Sequence, residues 1–104
     1  MNNVEYGLKD YQLKTIIDYF ARHNEIEEAV LFGSRAIGSY KKGSDVDIAL
    51  KGKYITPFIA AELKSELEDE TVIPFFFDFV SYSQLTHKEF INHIDTYGIT
   101  IYKK

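Results

Sequence analysis

Asp45 and Asp47 are the residues whose spacing most directly suggests chemistry. They lie in an alternating segment, Asp45 to Lys51. Val46, Ile48 and Leu50 are expected on one face of a strand, and Asp45, Asp47 and Ala49 on the other. Two carboxylates so placed have Cα atoms about 6.5–7 Å apart. Left without a counter-charge they repel, and one tends to bind a proton. A divalent cation removes that conflict. Oxygen ligands with no His or Cys nearby suit magnesium, with manganese as a stand-in. An EF-hand is excluded, because Ile48 and Ala49 stand where further ligands and a glycine should follow.

Eleven residues before Asp45 comes Gly33-Ser34, at the end of a short apolar run. A glycine there lets backbone amides approach phosphate oxygens closely, and the Ser34 hydroxyl can donate to the same group. Arg35 and Lys42 would offset phosphate charge. Gly33 and Gly38 have the glycine spacing of a P-loop. Ser39 and Tyr40 then stand where Lys and Ser or Thr are required, which excludes that motif.

The rest of the chain must position these groups. Leu8 to Asn24 reads as a helix, with Leu13, Ile16, Ile17 and Phe20 on its apolar face and His23 solvated near its end. Glu28 to Phe32 reads as a buried strand, and Ser34 to Ser44 as loop with room for one helical turn. Thr56 caps a second helix with Pro57 in its first position, and Phe58, Ile59, Ala61, Leu63 and Leu67 supply its apolar side. Its acidic end, Glu66 to Glu70, is expected to be a solvated face. Val72 to Tyr82 reads as an aromatic strand with an irregular start at Pro74. Phe75, Phe77 and Phe79 share one face of it; Phe76, Asp78 and Val80 share the other. Thr86 to Glu89 reads as the capping box of a third helix that closes near Gly98. His87 and His93 are expected at the surface, and Ile99 to Tyr102 forms a last strand.

The fold class is therefore α/β in the α+β sense, a mixed sheet of about four strands with helices mainly on one face. A length of 104 residues fits a single domain, 1–104. A net charge of −4 argues against direct nucleic-acid binding. The absence of Cys excludes disulfides and thiolate metal sites. Residues 1–5 lack the features of a signal peptide. Val72 to Phe77, the longest apolar run, is too short for a bilayer, and a cytoplasmic setting follows.

Gly33-Ser34-Arg35-Ala36-Ile37-Gly38, a short loop, then Ser44-Asp45-Val46-Asp47-Ile48-Ala49-Leu50 resembles the nucleotidyltransferase superfamily typified by DNA polymerase beta. Within it, the pattern is similar to the minimal nucleotidyltransferases paired with HEPN-domain toxins. Ile37 departs from that pattern, where Arg is common. Asp78, the one carboxylate between Val72 and Tyr82, fills the place of the family's third acidic residue. The closing Tyr97-Gly98-Ile99-Thr100-Ile101-Tyr102 also resembles the family's last turn and strand.

The resemblance implies that Asp45, Asp47 and Asp78 are catalytic and hold two magnesium ions, about 3.5–4 Å apart. It implies that Gly33, Ser34, Arg35 and Ser44 contact the nucleotide. AMP would pass from ATP to a hydroxyl, taken as a tyrosine of a HEPN toxin, and the chain would serve as the antitoxin. Alternatives are an antitoxin that masks its partner without chemistry, and an adenylyltransferase acting on a small molecule. A chain of this length leaves little room for an acceptor domain of its own, so the acceptor is expected on a partner protein.

Overall fold

The computed structural model describes residues 4–104. Residues 1–3, part of the stretch read for a signal peptide, lie outside the described residues. The chain opens with a two-stranded hairpin, β1 (Val4–Glu5) and β2 (Leu8–Lys9). Its two-residue turn has both Tyr6 and Gly7 at positive φ, 59° and 73°. A Tyr in that conformation is uncommon. This explains why no hairpin is legible there in the sequence and why Leu8 reads as helix. Helix α1 starts only at Asp10 and runs to Ala21.

Then follow β3 (Glu28–Phe32), the single turn α2 (Ser34–Ile37), β4 (Val46–Lys51), α3 (Pro57–Asp69), β5 (Phe77–Ser81), a 3-10 turn at Tyr82–Gln84, α4 (Lys88–Tyr97) and β6 (Ile99–Lys103). The main sheet has the order β5-β4-β3-β6. β3 pairs antiparallel with both β4 and β6, and β4 pairs parallel with β5 through the α3 crossover. The fold is the mixed α+β arrangement expected.

Alternation along the strands divides the core. Ala29, Leu31, Val46, Ile48, Leu50 and Phe77 turn to the face covered by α1 and α3, where they meet Ile16, Phe20, Leu63 and Leu67. Val30, Phe32 and Ala49 turn to the other face, where Ile94 of α4 covers them. Two long helices thus share one face, and α4 shields part of the second. The unshielded part of that second face carries the aspartates.

Three local expectations are corrected. Phe58 is 74% exposed, because the buried stripe of α3 runs through Ile59, Leu63 and Leu67 and turns Phe58 outward. Residues 72–76 are irregular and β5 begins at Phe77, the first residue to pair with β4; Phe76 is exposed before it. Helix α4 is capped one residue later than expected, with His87 Nδ1 accepting from Phe90 N–H at 3.3 Å. The Thr56 cap and the Pro57 start of α3 are as the sequence predicts, with Thr56 Oγ1 accepting from Ile59 N–H at 3.3 Å.

Candidate active site

The site forms where β3 ends and β4 begins. Antiparallel register sets Asp47 opposite Phe32, so its carboxylate reaches the backbone of the next residue, Gly33. Gly33 has φ 74° and ψ −154°, a region open essentially to glycine alone. A Cβ at this position would also collide with Asp47 Oδ2. Strand β3, Gly33 and Asp47 are therefore fitted to one another. Ser34 follows at once as the first residue of α2, whose turn is closed by Ala36 N–H and Ile37 N–H to Gly33 O at 3.1 and 3.2 Å.

Parallel register places Asp78 of β5 directly beside Asp47 of β4. Asp45 lies two residues before Asp47, just outside the strand. Asp47 is half-buried, while Asp45 and Asp78 are exposed. Burial pushes the Asp47 carboxyl up to about 6, and the charges of Asp78 and Asp45 add to the rise; Arg35 opposes it. The three aspartates named by the sequence are thus brought to one patch. Among the described residues they do not draw as close as the set His23, Glu62 and Glu66, whose ligand atoms all lie within 4.8 Å of one another.

An all-oxygen set in which burial and then mutual repulsion raise a carboxyl fits magnesium, which takes oxygen ligands and supplies the missing positive charge. Asp45, Asp47 and Asp78 are the residues that would hold it. Beside Asp78 lies a hollow of about 420 Å³, lined by Pro57, Ala60, Ala61, Gln84 and Leu85 among others.

Arg35 takes a different place from the one its charge suggests. Its side chain is 2% exposed. Nε and Nη2 donate to Ser44 O at 3.1 and 2.6 Å, and Nη1 donates to Tyr6 O at 3.0 Å. The guanidinium lies 4.3 Å from the centre of the Phe75 ring. Burial lowers its pKa, and the charges of Tyr40, Asp45 and Asp47 counter that shift. Arg35 therefore spends three donors on carbonyls and ties the N-terminal hairpin, the end of the loop and the approach to β5 together. Ser44 is likewise engaged: its Oγ accepts from Lys41 N–H at 2.8 Å in the turn that aims Asp45. The contacts of Arg35 with the hairpin and with Phe75 carried no sequence signal, since Tyr6 and Phe75 are far from the loop in the chain.

A family model described as "Polymerase beta, Nucleotidyltransferase" matches residues 14–104. The chain belongs to the polymerase beta nucleotidyltransferase family. The enzyme class expected from the Gly-Ser turn and the paired aspartates is thereby borne out. This nucleotidyltransferase is also similar in fold to solved toxin-antitoxin complexes. One, described as a toxin-antitoxin with AMP-PNP, shares 18% identity over 93% of this chain and 75% of that chain, with a TM-score of 0.72. A second, the toxin-antitoxin MntA-HepT, shares 18% identity over 90% and 72%, with a TM-score of 0.68. A third, a tri-AMPylated Shewanella oneidensis HEPN toxin in complex with its MNT antitoxin, shares 18% identity over 90% and 71%, with a TM-score of 0.68. No match is found among the curated proteins. No helix among the described residues is long and apolar enough to cross a membrane.

Proposed function

We propose that this nucleotidyltransferase transfers AMP from ATP, with magnesium, to a tyrosine hydroxyl of a HEPN-domain toxin, and so acts as the antitoxin of the pair. The observation that carries this reading is Asp78 set beside Asp47 in register, next to the glycine-only turn at Gly33. The fold shared with complexes that hold AMP-PNP or an AMPylated HEPN toxin supports the choice of nucleotide and acceptor.

The roles are those the family resemblance implies, and the placement of the residues supports them. Gly33 and Ser34 hold the β- and γ-phosphates. Asp45 and Asp47 face the triphosphate from the start of β4. Asp78 is exposed on an edge strand, beside the 420 Å³ hollow, and is open to an incoming acceptor. It takes the proton as the acceptor oxygen bonds to the α-phosphorus. The bond from that phosphorus to the bridging oxygen breaks, and pyrophosphate leaves. Magnesium, when bound, neutralises the triphosphate and lowers the pKa of the attacking hydroxyl. Arg35 and Ser44, whose polar groups meet the backbone, shape the loop around the nucleotide.

The test is intact-mass spectrometry of a co-encoded HEPN partner after incubation with the protein, ATP and magnesium. The expected result is a gain of whole AMP units, lost in Asp47→Asn. A folded complex with no mass gain would instead identify masking without chemistry. AMP transfer to a small hydroxylated compound, with the partner unchanged, would identify the small-molecule reading.

A further inference from the structure

His23 follows helix α1, on the face of the molecule that carries α3. The sequence suggests a solvated residue, but the imidazole is only 10% exposed. Its Nε2 lies 2.6 Å from Glu66 Oε1. Glu62, one helical turn earlier on α3, turns to the same point, so that one ligand atom from each of the three residues lies within 4.8 Å of the others.

We propose that His23, Glu62 and Glu66 form a binding site for a divalent transition metal of the zinc class, which pins the end of α1 to α3. Three features carry this. The first is geometry: tetrahedral metal bonds of about 2.0–2.2 Å set ligand atoms about 3.3–3.6 Å apart, so the His23–Glu66 pair at 2.6 Å need only open slightly and Glu62, whose ligand atom lies within 4.8 Å, close in. The second is charge. Two carboxylates one turn apart on a helix repel. A single imidazole can answer only one, and among the described residues no Lys or Arg forms an ion pair with Glu62. Arg22, the neighbouring cation, is engaged 4.1 Å above the Tyr19 ring. The third is donor chemistry. One imidazole nitrogen with two carboxylate oxygens suits zinc, leaving a further position for water, whereas magnesium avoids nitrogen. The site opens on a hollow of about 570 Å³ lined by Glu25, Tyr54 and Phe58 among others, which gives the ion a path from solvent.

The test is calorimetric titration of the full chain with zinc chloride, after chelator treatment and with magnesium in excess to occupy the aspartates. One zinc per chain is expected, with a rise in Tm of several degrees at saturation. Glu62→Gln preserves the His23–Glu66 contact, so it should leave the zinc-free Tm unchanged and weaken zinc at least tenfold. His23→Gln should weaken it further. Cobalt in place of zinc should give visible absorption bands that Glu62→Gln diminishes. Equal zinc binding by the parent chain and both variants would overturn the proposal, as would no binding by a folded parent chain at micromolar zinc.

Discussion

Two features of its surroundings push the Asp47 carboxyl in the same direction. It is half-buried against Gly33, and it faces two like charges. Its carboxyl is raised from the ordinary 3.8 to about 6. A raised acid gives stability that is complete below about pH 4 and is lost as pH rises through about 6. Without metal, Asp47→Asn should therefore be more stable than the parent at pH 8, by roughly 1 kcal/mol after allowing for solvent screening. The gap should shrink towards pH 5. Urea denaturation of both proteins at the two pH values measures it, and the difference between them cancels the other acids. Magnesium should stabilise the parent at pH 8 and not the variant. At the neighbouring residue, Gly33→Ala meets both the glycine-only backbone region and Asp47 Oδ2. A loss of about 1–3 kcal/mol is expected from the backbone alone, together with loss of nucleotide binding. Chemical denaturation and ATP calorimetry read the two effects separately.

Asp78 depends on an edge strand that pairs with β4 on one side only. The other side is tied to α3. Glu68 Oε2 accepts from Phe77 N–H at 2.8 Å, and Lys64 Nζ donates to Phe77 O at 2.6 Å. Lys64 and Glu68 also bond each other at 2.7 Å. Burial pushes the Glu68 carboxyl upward, but the hydrogen bonds from Lys64 and Phe77 outweigh it and hold the carboxyl below its ordinary range. Of the acidic end of α3, Glu68 thus belongs to the sheet's edge, while Asp69 and Glu70 are exposed as the composition suggests. Glu68→Ala leaves the Phe77 N–H without its partner and should cost about 1–3 kcal/mol. Because it loosens the strand that carries Asp78, transfer activity should fall further than the loss of folded protein explains. Comparing specific activity with the folded fraction by circular dichroism checks this.

Across the whole molecule, two phenylalanines that both read as core separate. Phe20 is fully buried, packed edge-on to Phe79 at 6.3 Å and tilted against Tyr102 at 5.8 Å. Phe20→Ala should cost about 3–5 kcal/mol. Phe58 is largely exposed, so Phe58→Ser should change the stability of the isolated chain by no more than about 0.5 kcal/mol. Thermal unfolding of the two variants side by side tests the assignment of the core.

The sequence by itself determined most of the elements of the main sheet and its helices, and it singled out the three aspartates. Period-2 alternation fixes which face of β4 carries Asp47, since a one-residue slip would expose Val46, Ile48 and Leu50. The glycine after β3 and the lone acid in β5 were legible because each breaks its local pattern at a cost that needs a reason. Only the tertiary structure decided what depends on residues far apart in the chain. The donors of Arg35 meet Tyr6 and Ser44, so a cation that reads as a phosphate ligand becomes the bolt of the loop. Glu68 closes the edge of β5, and His23 meets Glu66 across 43 positions. No periodicity records such meetings, because they arise from how helices dock on the sheet and not from the local preference of any segment.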